Sequence, residues 1–207
     1  MLARQTQVER TRATTTELIE TARRLFGRDG YAATSIEGIA RECGMTKGAV
    51  YHHFDGKIEL FRAVFVRQEQ QLAELIATAA SETDDPPERL RRGFHAFLRA
   101  CVEPQVRQII LLDGPAILGW STVRAIEYEY TLKLLRQGLE AAAARGQLLA
   151  GDVTIRSHVI FGALCESGMF IARADDPAEV LSAVLDEADE LLVALAGKSN
   201  PTIQGGT

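Results

Sequence analysis

The side chains best suited to a chemical task in this chain lie in one short segment near its amino end. They combine hydroxyl, ammonium, phenol and imidazole groups with one glycine: Thr46, Lys47, Gly48, Tyr51 and His52. At helical spacing these positions leave their side chains on the outer side of one short helix. Such groups bind phosphates and base edges in the DNA major groove. The segment therefore predicts a surface that contacts double-stranded DNA.

The elements that would position this helix form a helix-turn-helix over residues 35–54. Ala40 lies where the two helices approach most closely, so a larger side chain there would push them apart. Gly44 is expected to end the first helix, because glycine adopts the left-handed backbone that such an ending needs. Val50 is expected to turn inward. The pattern predicts a short, rigid reading unit whose second helix faces outward.

Helical periodicity dominates the rest of the chain, and no alternating strand pattern is convincing. We therefore predict an all-α protein of about nine helices. Thr34 is expected to cap the second helix, in a capping box with Glu37. A long fourth helix is expected over about residues 57–80, and Asp113-Gly114-Pro115 reads as a turn. One uninterrupted helix is expected from Trp120 to Arg145.

Composition and charge narrow the class of protein. The 207 residues are 46% hydrophobic and 25% charged, which is typical of a folded globular chain. The polar amino terminus and the lack of long apolar runs predict neither a signal peptide nor a membrane span. Three distant cysteines without metal-ligand spacing favour the reducing cytoplasm, with no metal and no cofactor. The net charge is −5, yet residues 1–57 hold nine Lys/Arg against seven Asp/Glu, so only this part would attract DNA.

Residues 11–62 resemble the amino-terminal part of the tetracycline-repressor (TetR) family of transcriptional regulators. The residues that carry the resemblance are Leu25-Phe26, Gly30-Tyr31, Thr34-Ser35, Ile39-Ala40, Gly44, Lys47-Gly48, Tyr51-His52-His53-Phe54, Lys57 and Leu60-Phe61. The resemblance implies a DNA-binding domain over residues 1–56, an effector-binding and dimerisation domain over residues 57–197, and a disordered tail over residues 198–207. It also implies operator contacts by Thr34, Thr46, Lys47, Gly48, Tyr51, His52 and Lys57.

The larger carboxy-terminal part carries no comparably sharp motif. The resemblance implies that it binds a small-molecule effector and forms a homodimer through its last two helices, on a palindromic operator. Candidates for the effector cavity are Phe94, Phe97, Ile110, Leu111, Ile117, Trp120, Tyr128, Phe161 and Met169. Candidates for the dimer interface are Gly162, Ala163, Val180, Val184, Leu191 and Leu195. Apolar residues at helical spacing are equally typical of an ordinary core.

The function that these patterns favour is a homodimeric repressor that a small molecule releases from its operator. An activator or dual regulator of the same fold stays open, because the polarity of control depends on where the operator lies. A protein-interaction module would use the same helices to dock a protein. An enzyme with a vestigial head is not favoured, since no phosphate loop, nucleophile elbow or metal spacing occurs, and no catalytic residue is assigned. Glu127 and Glu129 lie two apart on a helix and do not share a face, which argues against an acid–base pair.

Three further features have two interpretations each. Arg4, Arg10 and Arg12 suit a DNA-contacting arm, but a solvated terminus explains them as well. His158 is a candidate polar anchor for an effector or an ordinary surface histidine. Cys43 is a small apolar filler or a redox switch at the turn of the helix-turn-helix.

Overall fold

A computed structural model describes residues 7–196, and all regular structure in that part of the chain is helical. One π-helical segment, Val106–Asp113, lies between the fifth and sixth α-helices. The α-helices are α1 (Gln7–Ala33), α2 (Ile36–Glu42), α3 (Lys47–His53), α4 (Lys57–Ala80), α5 (Pro86–Ala100), α6 (Gly114–Leu118), α7 (Trp120–Glu129), α8 (Thr131–Ala144), α9 (Val153–Arg173) and α10 (Pro177–Ala196). The all-α prediction is confirmed. No helix within residues 7–196 has the length and apolarity that a bilayer crossing needs. The predicted tail over residues 198–207 lies outside the described residues.

We call α1, α2 and α3 the head. Gly30, with φ of 79° and ψ of 166°, breaks the helical path of α1 three residues before its end. Gly44, with φ of 64°, ends α2, and the Met45 amide donates to the Ala40 carbonyl at 2.8 Å in a Schellman arrangement. Thr46 caps α3 by accepting from the amide of Ala49 at 3.2 Å. The end of α2 therefore depends on Gly44, as predicted.

The cap of α2 lies one residue later than predicted. Ser35 is the capping residue, and its hydroxyl accepts from the Gly38 amide at 3.0 Å. Thr34 is only 5% exposed, and its hydroxyl donates to the Gly30 carbonyl at 2.9 Å. The kink at Gly30 brings that carbonyl to Thr34, so the predicted capping box of Thr34 and Glu37 is wrong.

The fourth helix runs from the head into the larger helical body. Its apolar side chains Leu60, Phe61, Val64 and Phe65 are completely buried, with α1 against one side of the helix and α5 against the other. The body is completed by α8, α9 and α10, and the His95 Nε2 atom lies 2.7 Å from Asp189 Oδ1 where α5 meets α10. The fourth helix therefore belongs to the core of the head and to the core of the body.

The predicted turn at Asp113-Gly114-Pro115 is wrong. The π-helical segment continues there directly into α6. Glycine is needed at this point for close packing, because a Cβ on Gly114 would lie 2.4 Å from Cε2 of Phe65. Pro115 occupies the first turn of α6, where its missing amide proton is not required.

The single helix predicted from Trp120 to Arg145 is also wrong, because the chain breaks at Tyr130 (φ −121°, ψ −91°) into α7 and α8. The Gln70 side-chain amide on α4 donates to the Tyr130 hydroxyl at 3.0 Å. The next residue, Thr131, donates its hydroxyl to Glu69 Oε2 at 2.9 Å. The break is thus fixed by two side-chain contacts to α4.

Candidate DNA interface and effector cavity

The outer face of α3 carries the side chains that the sequence singled out. Thr46, Lys47, Gly48, Tyr51 and His52 are all exposed, whereas Val50 is completely buried on the opposite face. The Lys47 ammonium pairs with the Glu37 carboxylate of α2 and lies 5.8 Å from the centre of the Tyr51 ring. This pair holds Lys47 beside Tyr51, although an ion pair so exposed adds little stability. Side chains with donors and an aromatic ring therefore project together from one small convex surface.

Lys57, at the start of α4, is only half-buried and does not project freely. Its ammonium lies 4.0 Å from the centre of the Tyr31 ring. Burial lowers the pKa of Lys57, and the charge of Asp113 acts in the opposite direction. Gly56 precedes it without a side-chain cap on the helix. The first amides of α4 therefore lie next to a cation that is turned toward the head.

The π-helical segment contacts the head directly. The Tyr31 amide donates to Asp113 Oδ2 at 2.7 Å, and the Gln108 side chain donates to the same oxygen at 3.0 Å. Gln105, the residue directly before the segment, accepts a hydrogen bond from the Arg23 guanidinium of α1. Gly27 packs so closely that an added Cβ would lie 2.6 Å from Cγ of Gln105. The head is therefore fastened to this segment by hydrogen bonds and by close backbone packing.

The other side of the π-helical segment borders a cavity of about 170 Å³ in the body. Its lining comes from α4, α5, the π-helical segment and α6 to α9: Glu69, Phe97, Ile110, Leu111, Pro115, Trp120, Val123, Arg124, Glu127, Thr131, Phe161, Gly162, Cys165, Glu166 and Met169. Cavities of about 150 Å³ hold a benzene-sized molecule. We call it the acidic cavity, because three of its lining residues are glutamates.

Two of those glutamates are buried in the wall of the acidic cavity. Glu69 is 1% exposed, and burial together with the nearby charge of Glu127 raises its pKa to about 8, against the Thr131 hydrogen bond and Arg124. Glu127 is 6% exposed, and burial raises its pKa to about 7 against the charge of Arg124. Arg124 Nη1 lies 3.2 Å from Glu127 Oε2, but this oxygen accepts no aligned hydrogen bond. The wall therefore carries more acid than its single guanidinium neutralises.

Aromatic rings hold the guanidinium of Arg124. Its carbon lies 4.4 Å from the centre of the Trp120 ring and 5.1 Å from that of Phe161. Trp120 is 64% exposed although it lines the acidic cavity, which places it at the mouth. A second cavity of about 240 Å³ lies between α4, α5, α8 and α9 and shares Phe97, Thr131 and Phe161 with the first.

One exposed stripe of α9 is mostly apolar, with Glu166 as the charged residue between Ala163 and Phe170. Ile155, Val159 and Phe170 are each more than 60% exposed, and Gly162 and Ala163 are exposed between them. Their spacing of three, four and seven residues places them on one stripe of the helix. Contiguous exposed apolar surface is typical of interaction sites.

Comparison with known proteins identifies the family of this chain. Residues 18–64 match the bacterial regulatory proteins of the tetR family, and residues 87–195 match the tetracyclin repressor-like C-terminal domain. The chain belongs to the TetR family. A crystal structure of a TetR-family transcriptional regulator from Pectobacterium atrosepticum superposes with a TM-score of 0.81 at 26% identity, covering 95% of this chain and all of that one. This TetR-family chain is a DNA-binding transcriptional regulator.

Two curated relatives are similar in sequence. The transposon Tn10 TetC protein of Escherichia coli is 29% identical over 158 residues, which are 75% of this chain and 79% of the relative. The probable acrEF/envCD operon repressor of Escherichia coli strain K12 is 39% identical over 113 residues, 53% of this chain and 50% of the relative.

The structure brings together most of the effector-cavity candidates of this TetR-family chain. Phe97, Ile110, Leu111, Trp120, Phe161 and Met169 line the acidic cavity, and Phe94, Phe97 and Phe161 line the second one. Ile117 packs against the core and lines neither cavity. Tyr128 lines neither as well: its hydroxyl lies 3.0 Å from Nε2 of His158, and both side chains are exposed. His158 is thus placed on the surface with Tyr128.

The candidates for the dimer interface fall into an exposed group and a half-buried group. Gly162, Ala163 and Leu191 are exposed, whereas Val180, Val184 and Leu195 are half-buried against the chain's own core. Of the arm, Arg4 and the side chain of Arg10 lie outside the described residues, and Arg12 is exposed on α1. Cys43 is half-buried at the end of α2 and packs on the core.

Sequence reasoning missed the charged part of the cavity wall. Glu69, Arg124 and Glu127 were not among the candidates, because a charged residue in a helix normally faces solvent. The sequence argument against pairing Glu127 with Glu129 agrees with their burial, since Glu127 is buried and Glu129 exposed. Only the fold places Glu127 near Glu69, which is on another helix.

Proposed function

We propose that the chain is a homodimeric repressor that binds a palindromic operator through α3 and leaves it when a small molecule occupies the body. The observation that carries the proposal is the π-helical segment, which borders both the acidic cavity and the head. As a regulator of bacterial transcription, the protein would act in the cytoplasm. An activator role differs only in where the operator lies.

In the proposed complex, α3 enters the major groove. Tyr51 and Lys47 contact bases and phosphates, His52 and Thr46 flank them, and the missing side chain of Gly48 lets the backbone approach closely. The phosphate contact first assigned to Thr34 passes to the exposed Ser35, because the Thr34 hydroxyl already donates to Gly30. Two heads about one DNA turn apart (~34 Å) would read the two half-sites.

Lys57 supports the same complex, but not as a side chain that already projects toward DNA. Its ammonium lies over the Tyr31 ring, next to the amides that begin α4. A phosphate at that point would meet both the charge and the helix end. Binding would require Lys57 to turn away from Tyr31, since the ring covers one side of the ammonium.

The second copy would cover the apolar stripe of α9, with Leu191 of α10 beside it. A four-helix interface would bury side chains such as Val159 and Phe170, which are otherwise more than 60% exposed. The close approach would be helped by Gly162 and Ala163, whose small size lets helices meet. Homodimers of this kind have two-fold symmetry, which matches a palindrome.

Effector action would follow from the two sides of the π-helical segment. A ligand that moves Ile110 and Leu111 would also move Asp113 and Gln108, which are bonded to each other and, through Asp113, to the head. The spacing between the two heads would change and no longer fit the operator. The coupling is reciprocal, so operator DNA must weaken effector binding by the same factor.

The DNA contact is tested with an operator selected from random oligonucleotides by the full chain. Tyr51→Ala and Lys47→Ala should each lower affinity by about tenfold or more, which corresponds to the roughly 1–3 kcal/mol of a base contact. Matched controls are Tyr128→Ala and Lys133→Ala, since both residues are exposed in the body. If the two head variants bind as tightly as the controls, the groove assignment is wrong. Binding that is insensitive to salt would favour a protein partner instead.

The dimer is tested by sedimentation of Val159→Glu against Leu75→Glu, a comparably exposed apolar residue on α4. Only the first should dissociate the dimer and weaken operator binding. Dimers in both variants would place the interface elsewhere. A reporter gene behind the operator then separates repression from activation by the sign of the change when the protein is removed.

A further inference from the structure

The acidic cavity contains an imbalance of charge that the residues around it do not resolve. Its ionisable groups come from three helices: Glu69 on α4, Arg124 and Glu127 on α7, and Cys165 and Glu166 on α9. The parts of its wall that come from α5, α6, α8 and the π-helical segment carry no charged side chain. The wall thus holds one guanidinium and three carboxyl groups, of which those of Glu69 and Glu127 are buried and that of Glu166 is exposed. The thiol stays neutral because burial raises the pKa of Cys165.

The single guanidinium is already engaged. Arg124 faces Glu127 at 3.2 Å, and the rings of Trp120 and Phe161 lie against it. Glu69 is left with one hydrogen bond, from Thr131, and Glu127 keeps a buried oxygen without an aligned donor. Buried carboxylates are costly unless a cation or several donors compensate them. The wall of this otherwise apolar and aromatic cavity therefore has unused acceptor capacity at Glu69 and Glu127.

We propose that the acidic cavity binds an organic cation, a protonated amine on an apolar or aromatic body, with the ammonium group between Glu69 and Glu127. The inference rests on the proposed function and names the chemical class of its effector. The ammonium donates to the carboxylate oxygens, and the body of the ligand contacts Phe97, Phe161 and Ile110. A longer ligand extends past Phe97 and Phe161 into the second cavity.

The wall of the acidic cavity disfavours ligands of the other two charge classes, anions and neutral molecules. An anion would meet the buried carboxyl groups of Glu69 and Glu127, and the guanidinium that would attract it is occupied by Glu127 and two rings. A neutral ligand without a donor would leave Glu69 with the single hydrogen bond from Thr131. Aromatic faces such as those of Phe97 and Trp120 favour cations over neutral groups of the same shape.

Binding is coupled to the release of a proton. Near neutral pH Glu69 holds its proton in the empty cavity, because burial and Glu127 raise its pKa to about 8. When an ammonium group binds, Glu69 loses this proton to solvent and becomes the carboxylate partner of the ligand. Glu127, whose pKa is raised to about 7, adds a second ionisation at lower pH. The affinity for the cation therefore increases with pH by up to about tenfold per unit between about pH 7 and pH 8, more steeply below pH 7, and levels off above pH 8. Simple amines titrate near the value for lysine, about 10.4, so the ligand itself stays charged over this range.

The test uses two sets of three probes with equal bodies and different charge. One set has a 2-phenylethyl body and the other a 4-phenylbutyl body, each ending in an ammonium, a hydroxyl or a carboxylate. Binding is followed by the fluorescence of Trp120, the only tryptophan in the chain, and by calorimetry in two buffers of different ionisation enthalpy. In at least one set the ammonium should bind about tenfold tighter than the alcohol, tighter still than the acid, and with net proton release.

The variants assign the effect to the two carboxyl groups. Glu69→Gln keeps the shape and should remove most of the preference for the ammonium, together with the proton release and pH dependence above pH 7, where Glu127 is already ionised. Glu127→Gln should reduce the preference. Controls are Glu74→Gln on α4 and Glu129→Gln on α7, both exposed, which should behave as the wild type. Circular dichroism confirms that each variant is folded. If no ammonium probe binds, if the alcohol or acid binds as well, or if Glu69→Gln keeps the full preference, the proposal is overturned.

The outcomes distinguish this inference from the proposed function. Probe binding is measured without DNA, so a failure there leaves the operator results for Tyr51→Ala and Lys47→Ala unaffected. Conversely, an ammonium probe that binds as described but does not release the operator supports the cation site and refutes its role as effector site.

Discussion

Replacing Glu69 by glutamine should change how the stability of the protein depends on pH. Glutamine has the same shape, and its carbonyl oxygen still accepts the hydrogen bond that Thr131 donates at 2.9 Å. The substitution removes only the ionisation of a side chain that is 1% exposed. We therefore expect the variant to resemble the wild type in acid and to become the more stable protein in mild alkali.

The size of the effect follows from the raised pKa of Glu69. The native carboxyl group keeps its proton up to a pKa of about 8, whereas the unfolded one loses it near the ordinary glutamate pKa of 4.5. Between these values the native state binds more protons, so the wild type loses stability as pH rises, and the loss is complete above pH 8. One pKa unit corresponds to about 1.4 kcal/mol, so the difference between variant and wild type should grow by roughly 3–5 kcal/mol. Glu127, with its pKa raised to about 7, acts in the same direction and remains in the variant.

The assay is urea unfolding of wild type, Glu69→Gln and Glu129→Gln at several pH values, followed by circular dichroism at one protein concentration. Holding the concentration fixed removes the contribution of dimerisation to apparent stability. The exposed Glu129 variant should follow the wild type throughout. Parallel curves for Glu69→Gln and wild type would refute the assignment of a buried, protonated carboxyl group to this position.

Three substitutions test the packing of the head and of the π-helical segment. Gly48→Ala should stabilise the fold by up to about 1 kcal/mol, because an added Cβ has no neighbour within 3.8 Å and alanine favours helix, but should weaken operator binding in a titration; tighter binding would contradict a close backbone approach. Gly114→Ala should cost about 1–3 kcal/mol in denaturant unfolding, since its Cβ would lie 2.4 Å from Phe65, and an unchanged midpoint would contradict this packing. Asp113→Ala should lower the free energy of unfolding by about 1–3 kcal/mol and change operator affinity, because the Tyr31 amide loses the acceptor at 2.7 Å. An operator affinity equal to that of the wild type would show that this contact does not position the head.

The turns of the head were predictable because each depends on one residue. Gly44 takes its positive φ in order to end α2, and Thr46 caps α3 with its own hydroxyl. The one error, Thr34 in place of Ser35, arose where two hydroxyl residues are adjacent. Which of them caps α2 depends on the Gly30 carbonyl, to which the Thr34 hydroxyl donates. The glycine in the sequence indicates a kink, but the direction of the kink, and with it the position of this carbonyl, is seen only in the structure.

The break at Tyr130 could not be predicted, because nothing in its local sequence ends a helix. No glycine or proline lies between Trp120 and Gly138, so periodicity favours one continuous helix. The break depends on Gln70 and Glu69, about 60 residues earlier in the chain, which hold Tyr130 and Thr131 on α4. The acidic cavity was missed for the same reason, since its two buried glutamates meet only in the folded chain.

The π-helical segment explains why one short element is able to serve the head and the cavity together. In an α-helix two residues five apart point about 140° away from each other. A π-helix is hydrogen-bonded from residue i to residue i+5 and winds less per residue than an α-helix, so two residues five apart lie closer to the same side. The hydrogen bond from Gln108 to Asp113 at 3.0 Å joins two such residues and fits the wider turn. The π geometry therefore places Asp113 beside Tyr31 while Ile110 and Leu111 face the cavity, so a ligand that restores the α-helical repeat would break this hydrogen bond and turn Asp113 away from the head.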